Sequence, residues 1–216
     1  MLPLTLPGAG VEGLRILAIG AHPDDIEIGC GGTLLRLVEH PGPVTATFVI
    51  LTGDVRRAEE AQRAAELFLP GCEVSVRIAG LPDGRLPAHW DEVKNFLEDA
   101  ATRVGADLIL APSRHDAHQD HRLLAELVTT VWRDHLVLGY ELPKWDGDLG
   151  RPSVYVPLTV DTAKEKVRRL TLAFSSQVAR DWWDEETFLG LARLRGIECR
   201  ASYAEAFTVH KATLTW

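Results

Sequence analysis

Arg15-Ile16-Leu17-Ala18-Ile19-Gly20-Ala21 runs directly into His22-Pro23-Asp24-Asp25-Ile26-Glu27. The first seven residues are almost continuously apolar and end in small residues, the pattern of a strand covered on both faces. The next six are polar and carry one imidazole and three carboxylates. A buried strand whose carboxyl end opens onto a charged loop is the beginning of a parallel α/β sheet with a site at its edge.

Outward from this stretch, strand and helix signals alternate. Thr33 to Glu39 reads as a helix, Val44 to Leu51 as a β-branched strand, and Ala58 to Phe68 as a helix rich in Ala, Glu and Leu. Val74 to Ile78 alternates as a third strand, and Leu81-Pro82-Asp83-Gly84 supplies a turn. Asp91 to Val104 is a helix with Val93, Phe96, Leu97 and Ala100 at core spacing. Leu108 to Ala111 is a fourth strand stopped by Pro112, and Asp120 to Asp134 a further helix. The last third reads as a loop (Trp145 to Pro152), a strand (Val154 to Leu158), helical segments at Lys164 to Phe174 and Phe188 to Leu194, and a terminal strand (Ala206 to His210). The alternation predicts a mostly parallel sheet with helices on both faces, a three-layer α/β sandwich. With 216 residues and neither repeat nor linker, the chain is expected to be one domain, 1–216.

Composition closes other classes. Asp and Glu number 31 against 23 Lys and Arg, a net charge of −8, and no basic run of five occurs, so neither nucleic acid nor a membrane surface is the expected partner. Met1 to Pro7 has two prolines and no basic start, a poor secretory leader. No apolar run approaches the ~18 residues of a membrane span. Cys30, Cys72 and Cys199 are dispersed and form neither a zinc ribbon nor a disulfide framework, which favours the cytoplasm.

The second chemical loop follows strand four: Pro112-Ser113-Arg114-His115-Asp116-Ala117-His118-Gln119-Asp120-His121. If strands one and four are neighbours, the two loops face each other across one crevice. His118 and His121, three apart at a helix start, share a side of its first turn. Imidazole and carboxylate suit a borderline cation. His22, Asp25 and His121 are three protein ligands for an open zinc site whose fourth position takes water, lowering that water's pKa toward about 7. Asp24, uncoordinated, is the general base. His118, held protonated by nearby carboxylates, is the oxyanion stabiliser and the acid for a leaving amine. Asp116 and Asp120 lie within reach of an imidazole. Iron(II) also fits a His/His/Asp site.

His-Pro-Asp-Asp after the first strand and His-x-Asp-His after the fourth resemble the PIG-L/LmbE family of zinc-dependent N-acetylglucosaminyl deacetylases. Gly31-Gly32-Thr33-Leu34, Leu51-Thr52-Gly53-Asp54, Arg57-x-x-Glu60-Ala61, Leu81 to Gly84, Ser176-Gln177 and Tyr203 to Phe207 are similar too. The resemblance spans almost the whole chain. It implies a Rossmann-like, LmbE-like fold and hydrolysis of an N-acetyl group, often on an amino sugar. Residue by residue, it makes His22, Asp25 and His121 the metal ligands, with one zinc per chain, Asp24 the base and His118 the acid. It also makes Asp120 the carboxylate supporting a histidine and Arg57 an arginine that holds substrate. The implied partner is a small N-acetylated molecule; trimers or hexamers occur among such proteins. In one departure, Asp116 stands where some members carry a tyrosine.

Plainer readings stand beside these. Asp24 and Asp25 fit a helix N-cap and its neighbour, Asp120 a favourable charge at a helix N-terminus, and Arg57 an exposed helix residue paired with Glu60. Gly29, Gly31 and Gly32 hint at a dinucleotide loop, but His22 to Asp25 occupy the place where a pyrophosphate would sit, and their carboxylates repel it. Trp182 and Trp183 read as packing or as a sugar-stacking surface. Tyr203, Glu205 and His210 are candidates for the pocket wall, Cys30 for the core and His115 for the surface. A two-metal phosphoesterase and a non-catalytic Rossmann-like binding module are the alternatives to a deacetylase.

Overall fold

The computed structural model describes residues 3–4 and 13–213. The leader reading of Met1 to Pro7 falls mostly outside them. Seven strands and six helices follow in the order β1 (Leu14–Gly20), α1 (Asp25–Leu37), β2 (Val44–Thr52), α2 (Val55–Phe68), β3 (Glu73–Leu81), α3 (Trp90–Arg103), β4 (Leu108–Pro112), α4 (Gln119–Val131), β5 (Val137–Tyr140), β6 (Val154–Leu158), α5 (Val160–Ala173), α6 (Glu185–Cys199) and β7 (Tyr203–Val209). They form one sheet in the order β3-β2-β1-β4-β5-β7-β6. The strands from β3 to β5 are parallel, and β7 runs antiparallel to both its neighbours.

Alternate residues of each strand point to opposite faces, and both faces are apolar. Ile16, Ala18, Phe48, Ile50, Leu108 and Leu110 join one core with Phe68 and Leu170 from α2 and α5. Leu17, Ile19, Val49, Leu51 and Ile109 join the other with Leu97 and Leu124 from α3 and α4. This is the expected three-layer α/β sandwich. No described helix is long and apolar enough to cross a membrane.

Strand order reverses beside β1. The chain builds outward from β1 to β3, then returns to place β4 on the other flank of β1, with Ile16 opposite Leu108. Such a switch point leaves a crevice at the carboxyl ends of the two strands. Both chemical loops open there.

Two local features differ from the expectation. The first is α1, which begins at Asp25 rather than Thr33 and takes in all three glycines. Each glycine weakens a helix by about 1 kcal/mol relative to alanine. Close approach compensates: a Cβ on Gly29, Gly31 or Gly32 would lie 2.3–2.5 Å from Tyr140, Phe68 and Leu158 respectively. The glycines let α1 lie tight against its neighbours, and the helix kinks at Cys30. The second is β5, four residues long. It follows α4, which stops at Val131 rather than Asp134.

Candidate active site

β1 delivers His22 at its end, and α1 begins with Asp25. The Asp25 side chain turns back and accepts the backbone N–H groups of Ala21 (2.9 Å) and His22 (2.8 Å) through Oδ2. Asp24, at the N-cap position, makes no side-chain cap. Its carboxylate pairs instead with Arg57 at 3.0 Å. The capping reading of Asp24 is thereby removed, and its oxygens are left to the crevice.

Across the crevice, α4 starts with His118 as N-cap; its Nδ1 accepts the N–H of Asp120 at 3.3 Å. A ring whose Nδ1 accepts carries its neutral-state proton on Nε2. His121 sits one turn in, its ring centroid 4.6 Å from that of His118.

Three acceptor atoms converge. His22 Nδ1 and His121 Nε2 are 3.1 Å apart, and Asp25 Oδ2 lies 3.4 Å from the first and 3.2 Å from the second. A tetrahedral cation with bonds of about 2.0–2.1 Å needs donor separations of about 3.3–3.4 Å. Lone pairs this close repel unless protons or a cation lie between them. The donor set therefore fits a zinc-like ion. His118 also offers a nitrogen within 4.8 Å of the His22 and His121 donors.

Carboxylates stand behind each imidazole. His22 Nε2 lies 3.3 Å from Asp120 and 3.0 Å from Asp83, while His121 Nδ1 lies 3.0 Å from Asp116. This is the arrangement that fixes the tautomer of a ligating histidine. Asp120 is fully buried and also accepts the amides of Gly84 (2.8 Å) and Leu86 (3.1 Å), tying the turn after β3 to the site. Asp116 binds the His118 amide at 2.8 Å and Lys144 at 3.0 Å.

Electrostatics follow the geometry. Burial works against charge on His121, but Asp25 and Asp116 outweigh it and hold its pKa at about 9. Burial likewise opposes charge on His22, yet Asp25, Asp120 and Asp83 raise its pKa well above the ordinary value. The two imidazoles overcome burial at Asp25 and keep it well below the carboxylate range. Burial raises Asp24, with Arg57 pulling the other way. His118 departs from expectation. Burial and the charges of His121 and His22 push its pKa down, so the nearby carboxylates do not hold it protonated.

Arg57 is not an exposed helix residue. It contacts Asp24, donates to the Pro23 carbonyl (3.0 Å) and reaches Ser176 (3.2 Å), with Glu60 3.9 Å away. Buried Glu60 accepts Ser175 Oγ, Ser176 N and Ser176 Oγ, fastening the Ser176-Gln177 segment beside α2. The crevice is a cavity of about 790 Å³ lined by His22, Asp24, Asp25, Arg57, His118 and His121 among others. Trp182 lines it, whereas Trp183 is buried. None of Tyr203, Glu205 and His210 reaches this wall. Glu205 binds Lys166 (2.6 Å) and the amides of Gly32 and Thr33. Cys30 is buried and His115 exposed, as expected. Two residues of the site lack a local sequence signal: Asp83 reads only as part of a turn, and Lys144 is a lone lysine.

A Rossmann-like sheet with a His/Asp cluster at its switch point defines an α/β protein equipped for cation-assisted chemistry. Residues 17–132 match the family model described as GlcNAc-PI de-N-acetylase (PIG-L), and the chain belongs to that family. The uncharacterized deacetylase YaiS of Escherichia coli K12 is 32% identical over 171 residues, covering 73% of this chain and 86% of YaiS. In structure, the N,N'-diacetylchitobiose deacetylase of Pyrococcus horikoshii superposes with a TM-score of 0.71 at 20% identity, covering 90% of this chain and 83% of the other. GalB, the 4-carboxy-2-hydroxymuconate hydratase of Pseudomonas putida KT2440, superposes with a TM-score of 0.74 at 19% identity, covering 94% and 98%. One fold thus carries different named activities, so function has to be argued from the site.

Proposed function

We propose that the chain is a zinc-dependent N-deacetylase that hydrolyses the acetamide of an N-acetylated amino sugar. The observation that carries this reading is the convergence of His22 Nδ1, Asp25 Oδ2 and His121 Nε2, beside a carboxylate that neither caps its helix nor joins the triangle. Family membership and the deacetylase name of a 32% identical relative support it.

His22, Asp25 and His121 would hold the cation. When bound, it polarises the amide carbonyl and makes water more acidic. Asp24 takes the proton of the attacking water, and burial suits it to that task by raising its proton affinity. Arg57 keeps that carboxylate from becoming permanently protonated and fixes its direction. His118 presents Nε2–H, a neutral donor for the carbonyl oxygen as negative charge builds there. As the carbon–nitrogen bond breaks, the amine takes a proton, which Asp24 has just received. Asp120 and Asp83 orient His22, and Asp116 orients His121.

The grouping of His22 Nε2 with Asp83 and Asp120 does not favour a two-metal phosphoesterase. When Nδ1 ligates, Nε2 carries the ring proton and donates. Asp120 is already engaged by two backbone amides.

The test is release of free amine and acetate from a panel of N-acetylated sugars by zinc-loaded protein, with and without chelator. Chelator-sensitive release from at least one sugar is expected. No release from any of them, or release indifferent to chelator, contradicts the proposal.

A further inference from the structure

The lip of the cavity carries an indole that the chemistry above does not use. Trp145 is 72% exposed and lines the cavity. It is the last member of an aromatic series that begins in the core. Phe174 and Phe188 pack on Trp183 with ring centroids 6.0 and 5.3 Å away. Trp183 packs on Trp182 at 5.5 Å, and Trp182 meets Trp145 edge-on at 6.4 Å. One side of the series is anchored; the outer indole has an open face.

The backbone on either side of Trp145 is tied to the reacting end. Its neighbour Lys144 pairs with Asp116, the carboxylate behind His121, and with Asp148. Asp148 in turn accepts the amide of Ala117, in the loop that carries His118. The turn that follows has Gly147 at φ +61°, a conformation that side-chain-bearing residues rarely adopt. A large apolar side chain exposed to water at a cavity mouth is available to stack on a ligand. Asp146 and Arg180 line the same cavity, and neither side chain has a hydrogen-bond or ion-pair partner among the described residues. An open indole face in a cavity that also carries free polar groups suits a pyranose ring, apolar on its faces and hydroxylated at its edges.

Among the described residues, no ring contact joins Trp145 or Trp182 to the three imidazoles. The cavity that spans them, at about 790 Å³, lies toward the top of the ~300–1,000 Å³ range of small-molecule sites. We infer that Trp145 is the stacking platform for a second ring of the substrate, beyond the sugar that bears the reacting acetamide, and so selects disaccharide-sized over single-sugar substrates. The inference rests on the deacetylase reading for the identity of the sugar, though not for the existence of the platform.

The test is binding of N-acetylglucosamine and of N,N'-diacetylchitobiose, followed by calorimetry, for wild type, Trp145→Ala and Trp145→Phe. Wild type is expected to bind the disaccharide about tenfold more tightly than the monosaccharide. Trp145→Ala should abolish that preference and Trp145→Phe should keep most of it, with monosaccharide affinity unchanged. No preference in wild type, or a preference untouched by Trp145→Ala, overturns the inference. So does a change of oligomer size in Trp145→Ala with the preference intact, which would make the indole a subunit contact. Amine release is measured separately: binding that follows Trp145 without any deacetylation contradicts the proposed function and leaves the platform standing.

Discussion

Asp24 and Arg57 lie 3.0 Å apart, carboxylate to guanidinium, and both are largely withdrawn from solvent. Burial favours the protonated carboxyl and Arg57 favours the ionised one. The pair sets where Asp24 titrates. Removing the cation in Arg57→Ala raises the Asp24 pKa further, because the charged form loses its nearest support. The acidic limb of kcat/KM is therefore expected to move to higher pH, and each unit of movement costs about tenfold in rate on that limb. A pH–rate profile of the variant checks this. An acidic limb at the wild-type position would detach Arg57 from the base.

The imidazoles also couple metal binding to protons. His121 titrates at about 9 and His22 well above its ordinary value, because carboxylates outweigh burial at both. Ligation needs neutral rings, so at pH 7 zinc must displace protons held by this pair. Affinity should rise as pH increases from about 7 to 9, and proton release should shrink over the same interval. Calorimetry in buffers of different ionisation enthalpy reads the proton count directly. Zinc uptake without proton release at pH 7 would contradict the raised proton affinity of these rings.

Lys166 and Glu205 form an ion pair at 2.6 Å, both buried, beneath the glycine-rich part of α1. Glu205 also holds the amides of Gly32 (2.8 Å) and Thr33 (2.6 Å). Lys166→Met leaves a buried carboxylate without its cation and is expected to destabilise the fold by about 3–5 kcal/mol. Chemical denaturation measures the loss. Activity per folded molecule should be unchanged, since neither residue lines the crevice.

What is legible from the chain and what is not divides along physical lines. β1 and β4 are readable because strands covered on both faces must be continuously apolar, as Ile16 to Ile19 and Leu108 to Ala111 are. Their adjacency follows from the winding rule and brings His22 to His121 across 99 positions. The early start of α1 is not readable from local propensity. Its three glycines argue against a helix, and only Tyr140, Phe68 and Leu158, distant in sequence, explain why they are tolerated. Four-residue β5 is too short to carry a period. The split between Asp120, which serves His22, and Asp116, which serves His121, depends on side-chain directions that spacing alone does not specify. Asp83 and Lys144 reach the site only because the turn after β3 and the loop after β5 fold over it. The lowered proton affinity of His118 has a related cause. The carboxylates near it in sequence turn to other partners, while His22 and His121 stand beside its ring.

The ligand assignment underlies every chemical step. Zinc content after dialysis against trace metal, measured per chain, tests it most directly. One ion per chain is expected for wild type, Asp24→Asn and His118→Ala, with none retained by His121→Ala or Asp25→Ala in folded protein. Full zinc occupancy in folded His121→Ala, or loss of zinc from His118→Ala as complete as from His121→Ala, would contradict the account.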